Sequence, residues 1–229
     1  MKKNAVTIEF PLRGEWVAPT TPAKRIPSHG TNRMGLKYAF DFLQVDQNNM
    51  NKFYDASTFR FLILGVPLKK CYCYGRDIYA PCDGEIVAKI DGIPERKHVH
   101  WLRESIIGIK KSLTFNEETD DFSIIAGNFI IIKCSENVYM AFVHLQTDSI
   151  AVSLNEKIPK GSFLGKVGHS GNSTSPHLHF QVMDSSDLKN ANGIPCFFEK
   201  YQIYQNDTWK TVYSQIPSEK DRIRFNKNQ

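Results

Sequence analysis

The run SPHLHFQV, residues 175–182, sets His177 and His179 one leucine apart in a stretch that otherwise reads as strand. In a β-strand residues i and i+2 share a face, so both imidazoles leave the sheet together while Leu178 and Phe180 turn into a core. Two imidazoles on one face can share a metal ion, or one can hold the ion while its neighbour moves protons. Two polar positions on a solvated strand face are the plainer alternative. A catalytic zinc takes about three protein ligands, histidine or carboxylate, and keeps one position for water. If His179 is one ligand, two more must come from elsewhere in the chain.

The candidates are few, because the chain has only seven histidines. Upstream, SHGTNRMGLKYAFDF offers His29 after a Pro-rich loop and Asp41 between Phe40 and Phe42. An alternating strand buries the two phenylalanines and puts the carboxylate on the opposite face, where a charge needs a partner. A metal would serve, and so would a salt bridge. His144 ends the strand-like run VYMAFVHL, where a core or edge role is also open to it. His169 lies in the Gly- and Ser-rich loop GKVGHSGNSTSP and is expected to face solvent. That loop's composition permits tight turns and close backbone approach, which would let a substrate chain lie near the histidines. A second pair, His98 and His100, falls in a helical pattern; on a helix they diverge by about 200° and cannot share an ion.

The elements that must hold these groups are mostly short strand-like runs separated by Gly, Pro, Asn and Asp. AVTIEF (5–10), KYAFDFLQV (37–45), CDGEIVAKID (82–91), the hairpin GNFIIIKCSENVYMAFVHL and the HxH run are the clearest, with CFFEKYQIY and WKTVY available to close the sheet. One segment breaks the pattern. Val99, Leu102, Ile106, Ile109 and Leu113 follow the spacing of an amphipathic helix, read as an insertion over one edge of the sheet. The acidic run NEETDD after it reads as an exposed turn, and the whole insertion is a candidate lid over a groove.

The bulk composition narrows the class. A chain of 229 residues with 41% hydrophobic and 12% aromatic content can bury a sizeable core. The net charge of +5, from 29 basic and 24 acidic residues, is mildly basic and suits an anionic partner, but is no nucleic-acid signature. No apolar run reaches the length of a membrane span, and no apolar segment follows the first lysines, so no export signal is visible. Five cysteines without a CxxC read as buried free thiols, which leans weakly toward a reducing compartment.

GHSGNSTSPHLHFQV, with VHLQTDS and YAPCDGEIVAKIDG, resembles the lysostaphin-type (LytM-like) zinc metallopeptidases. The resemblance extends over about residues 27 to 205, and Gly165 to Val182 is its specific part. It implies a mostly β fold: a single domain built on an antiparallel β-sheet with a catalytic groove, plus the short helical insertion around 99–113. The division expected is an N-terminal strand and loop (1–26), the LytM-like domain (27–205, insertion 93–125), and a C-terminal strand and polar tail (206–229). It implies further that His29, Asp41 and His179 bind Zn²⁺ and that His144 and His177 are catalytic, without saying which of the two takes the proton. The reaction implied is hydrolysis of peptide bonds, with peptidoglycan stems or bridges, or another peptide, as substrate. The other reading is an inactive LytM-like module that binds a cell-wall peptide or a protein partner; all five expected positions are filled here, which favours the enzyme. One departure stands out: eleven residues separate His29 from Asp41, where the family has a much shorter spacing, so GTNRMG must loop back through Gly30 and Gly35.

Overall fold

The computed structural model describes residues 5–116 and 119–226. In spatial order the main sheet runs Val6–Ile8, Cys196–Gln205, Arg222–Phe225, Gly14–Thr20, Phe40–Leu43, Leu178–Met183, Val138–Leu145, Asn128–Ser135, Gly84–Ile90 and Lys157–Ile158. Thr208–Gln215 pairs with Cys196–Gln205 off this path. Neighbours are antiparallel except for Val6–Ile8 against Cys196–Gln205. The mostly β, antiparallel expectation holds, and the SEN hairpin forms with Asn137 at φ +58°.

The core lies on one face of the sheet. Phe40, Phe42, Leu178 and Phe180 are fully buried there, with Phe10, Phe142 and Phe198 packed against them. The alternation that sends these side chains inward sends Asp41 and His179 to the other face, and the register sets those two opposite each other. A smaller cluster of Ala126, Phe129, Ile131, Ala141, Val143 and Met183 covers the second face. In the CDGEIVAKID strand a register shift between Ile86 and Ala88 leaves Ile86 in the large core, while Ala88 and Ile90 pack against the second cluster.

Several expectations need correction. The strand expected over 37–45 is shorter, because Arg33–Tyr38 forms a 3₁₀ segment broken by left-handed Met34 and Gly35. The apolar stretch Phe59–Val66 holds a turn of π-helix over Arg60–Leu64. Helix α1 spans Trp101–Thr114, and Val99 belongs to a two-residue strand paired with Val66, packed with Tyr54, Phe61 and Leu68. His98 and His100 therefore precede the helix. The five-thiol reading also changes: Cys82 and Cys134 are bonded, and Cys71, Cys73 and Cys196 are free and buried. Glu117 and Glu118 of the acidic turn, residues 1–4, and the last three residues of the tail lie outside the described residues.

The apolar stripe of α1 does not pack onto the sheet. Leu102, Ile106, Ile109 and Leu113 are all exposed, Leu113 by 81%. Substituting Phe42→Ala should cost about 3–5 kcal/mol in a urea or guanidinium titration, whereas Leu113→Ala should change stability by about 0.5 kcal/mol or less. Equal losses in the two variants would contradict this placement of the core.

Candidate active site

Four histidines and one carboxylate meet on the second face of the sheet. Asp41 and His179 stand opposite each other on adjacent strands, with His179 Nδ1 2.9 Å from Asp41 Oδ1. His29 reaches the same carboxylate through the looped segment expected from its spacing: Gly30 and Gly35 have φ +77° and +75°, and His29 Nε2 lies 3.2 and 3.1 Å from Asp41 Oδ1 and Oδ2. Gly35 is also a close-packing position, since a Cβ there would meet Gln181 and Met183. His177 Nε2 is 3.5 Å from Asp41 Oδ1, and the His144 and His177 rings are 4.8 Å apart.

His144 arrives by a bulge. Asn128 pairs with Leu145 and Ile130 with Phe142, so Val143 and His144 together face the single residue Phe129. The extra residue takes a left-handed conformation, φ +64° at His144, and the ring turns into the cavity. That cavity, about 250 Å³, is lined by His29, Asp41, His144, His177 and His179, with Met34, Phe122 and Val143 among its apolar walls.

The hydrogen-bond network fixes the ring tautomers. Gln181 Nε2 donates to the Met34 carbonyl at 2.7 Å, so its Oε1, 3.0 Å from His179 Nε2, accepts. Neutral His179 thus carries its proton on Nε2 and presents a bare Nδ1 to Asp41. Ser28 donates its hydroxyl proton to the Leu36 carbonyl and can only accept from His29 Nδ1, 3.2 Å away, which leaves His29 Nε2 bare as well. His144 Nδ1 donates to Ser170 O at 3.0 Å and His177 Nδ1 to Ser175 O at 2.7 Å. Each ring is pinned by one nitrogen and offers the other to the site.

Charge follows from this arrangement. Burial alone raises the Asp41 pKa, but His177 and His29 beside it outweigh that and hold the carboxyl well below the ordinary range. Burial pushes His144 well down and lowers His179, so both rings are neutral near pH 7. Burial also works against His177, but the Asp41 carboxylate overcomes it and the net shift is upward. His29 Nε2, His179 Nδ1 and an Asp41 carboxylate oxygen lie within 4.8 Å of one another, and each can offer a lone pair. Such a set fits a divalent cation: two imidazoles and one carboxylate are a catalytic zinc donor set, and the Ser28 and Gln181 contacts are the outer-sphere bonds that orient such ligands.

One expectation fails around this centre. His169 is not solvent-facing but fully buried, with its Nδ1 3.1 Å from Ser173 Oγ and its amide donating to Glu95 at 2.5 Å. The glycines of its loop approach the protein's own chain: a Cβ at Gly168 would collide with the Gln146 backbone, and one at Gly171 with Ala126 and Gly127. Sequence reading also missed Ser28, Ser170 and Gln181, whose work depends on residues distant in the chain. It missed Arg96 too, which donates to the Gly171 and Ser173 carbonyls at 3.1 and 2.7 Å and pairs with buried Glu104 of α1 at 2.7 Å.

Residues 115–191 match peptidase family M23. The matched segment holds His144, His177 and His179; His29 and Asp41 lie upstream of it. The chain therefore carries a peptidase family M23 segment, and its resemblance to the lysostaphin-type peptidases stands. Among curated proteins it is 38% identical over 61 residues to an uncharacterized metalloprotease of Buchnera aphidicola subsp. Baizongia pistaciae, covering 27% of this chain and 16% of that one. It is 29% identical over 77 residues to the peptidoglycan DD-endopeptidase ShyC of Vibrio cholerae, covering 34% and 17%. The chain thus spans less than a fifth of the length of either curated relative. Among solved structures, a mutant catalytic domain of the prophage-encoded M23 protein EnpA from Enterococcus faecalis aligns over 79% of this chain and 88% of that one, at 17% identity and a TM-score of 0.41.

His169 gives the fold a pH dependence of definite sign. Burial and neighbouring Arg96 lower its pKa from 6.5 to about 3. Between those values the unfolded chain binds a proton that the folded chain does not, so this contribution is present above pH 6.5 and is lost as pH falls. Between pH 7 and pH 5 the wild type should lose about 2 kcal/mol more stability than His169→Gln, measured by denaturant titration. Parallel losses would contradict the buried, neutral assignment.

Proposed function

We propose that the chain is a zinc-dependent endopeptidase that hydrolyses peptide linkages of peptidoglycan. The observation that carries this reading is the convergence of His29 Nε2, His179 Nδ1 and the Asp41 carboxylate, three atoms that can each offer a lone pair to one ion. These three residues would hold the metal. A zinc ion bound there supplies a Lewis acid that polarises a carbonyl and makes water acidic enough to ionise near neutral pH.

The remaining groups handle protons. His144, neutral and fixed by its Nδ1–H bond to Ser170, offers Nε2 as the acceptor for a proton from the attacking water. His177, pinned through Nδ1 to Ser175 and raised in pKa by Asp41, offers an Nε2–H donor to the oxygen on which negative charge develops. Met34, Phe122 and Val143 supply apolar walls that limit water around the reacting groups. The peptidoglycan assignment is supported by the M23 match and by the named activity of the ShyC relative. Action on peptidoglycan places the working protein at the cell wall.

Metal analysis and turnover on purified peptidoglycan test this together. Wild type should bind one zinc and release soluble peptide fragments. Asp41→Ala should lose the metal and the activity, whereas His144→Ala should keep the metal and lose on the order of 10²- to 10⁴-fold in kcat. A wild type that binds zinc but releases no fragments while retaining peptidoglycan in pull-down would instead support a peptide-binding module. Absence of zinc binding would overturn the metal assignment.

A further inference from the structure

Helix α1 is turned inside out. Successive residues rotate by about 100°, so Leu102, Ile106, Ile109 and Leu113 make one stripe, while Glu104, Gly108 and Lys111 lie on the opposite side. The polar side faces the protein. Glu104 is buried against Arg96, a Cβ at Gly108 would touch Thr174 and Asn172, and Lys111 Nζ reaches the Ile124 and Gly171 carbonyls at 3.3 and 3.4 Å. The apolar side faces out, with Ile109 62% and Leu113 81% exposed. Those inward polar contacts fix the helix's rotation, so the stripe cannot be hidden by turning it.

The stripe is continued by a second element. The Arg60–Leu64 turn packs beside α1 and exposes Ile63 and Leu64, with Phe59 just before it and Trp101 at the start of the helix. Exposed apolar surface of this extent is unusual in a soluble protein and marks an interaction site. Within α1 and the turn its charge is one-sided, and the acidic run with Asp120 and Asp121 follows the helix. Arg103 and Lys110 are exposed along one edge of the stripe and Arg60 lies in the turn, whereas the one carboxylate of α1, Glu104, points inward. Ahead of the turn, Asp55 is 3.9 Å from Lys70.

We propose that this face of α1 and the Arg60–Leu64 turn is a docking surface for an anionic lipid bilayer. Exposed aliphatic side chains insert into a fluid interface without needing a shaped groove. Trp101 and Phe59 are of the residue type that sits at headgroup level, and the arginines and lysine along the edge meet anionic headgroups. A protein partner would need a complementary groove and polar anchors, and among the described residues neither α1 nor the turn presents a carboxylate on this face to pair with one. The proposal does not rest on the peptidase reading: Ile109 and Leu113 line a cleft with Asn172 and Thr174, which also border the histidine cavity, but neither the stripe nor its basic edge contributes a side chain to that cavity.

Vesicle co-sedimentation of the full chain tests it. The wild type should sediment with vesicles containing phosphatidylglycerol, far less with pure phosphatidylcholine, and less as salt is raised. Ile109→Ser combined with Leu113→Ser should lower partitioning roughly tenfold or more. Arg103→Glu combined with Lys110→Glu should abolish the preference for anionic vesicles. Thermal melts matching the wild type establish that each variant is folded, and the charge pair serves if the apolar pair melts early. No sedimentation of wild type with either vesicle, or equal sedimentation of wild type and both variants, overturns the proposal. So does sedimentation-equilibrium evidence of a dimer that the serine variants convert to monomer without any lipid binding, which assigns the face to a second copy of the chain.

Discussion

The candidate site depends on a repulsion: three electron-pair donors, His29 Nε2, His179 Nδ1 and the Asp41 carboxylate, are held against one another. His177, whose own pKa Asp41 raises, helps hold Asp41 ionised, while the Ser28 and Gln181 contacts orient His29 and His179 around it. A buried carboxylate facing bare imidazole nitrogens is unfavourable unless a cation or a proton joins them. The fold offsets this through the register of two strands. Phe40, Phe42, Leu178 and Phe180 lock that register from beneath, because a one-residue slip of either strand would carry its two apolar side chains into the cavity and its Asp41 or His179 into the core.

Around that pair the protein uses backbone irregularities to bring distant groups in. Left-handed Met34 and Gly35 return the chain from His29 to the sheet, and the bulge at Val143–His144 turns a strand-end side chain toward the cavity. The loop that supplies Ser170 and Ser175 is itself braced. Arg96 holds two of its carbonyls, and His169, sealed inside, bonds Ser173, whose hydroxyl donates to Ser175. The Arg96–Glu104 pair ties the same brace to α1, so the helix and the 168–175 loop are mechanically one unit.

How much of this was legible in the sequence follows from the range of each interaction. Period-two alternation showed Asp41 opposite its phenylalanines and the HxH imidazoles on one face, because strand geometry is local. The same local rule showed the helical spacing of α1 but not its orientation. Periodicity finds an apolar stripe, and only the contacts of Glu104 and Lys111 decide which way it faces. His169 was misplaced because loop composition argues for exposure, whereas its burial comes from Glu95 and Ser173 elsewhere in the chain. Ser28 and Gln181 carried no visible signal, since fixing a tautomer needs a carbonyl from another segment to orient the fixing group first. Motif resemblance supplied the assignment of five residues to one site, and the structure brings those five together.

The most direct test of the central claim is the protonation pattern of the rings, read by long-range ¹H–¹⁵N NMR of histidine-labelled protein before and after zinc addition. Metal-free His179 should carry its proton on Nε2 and His29 on Nδ1. Zinc should then shift His179 Nδ1 and His29 Nε2 while leaving the Nδ1–H of His144 in place. The opposite tautomer at either ligand ring, or resonances at both that zinc does not move, would contradict it.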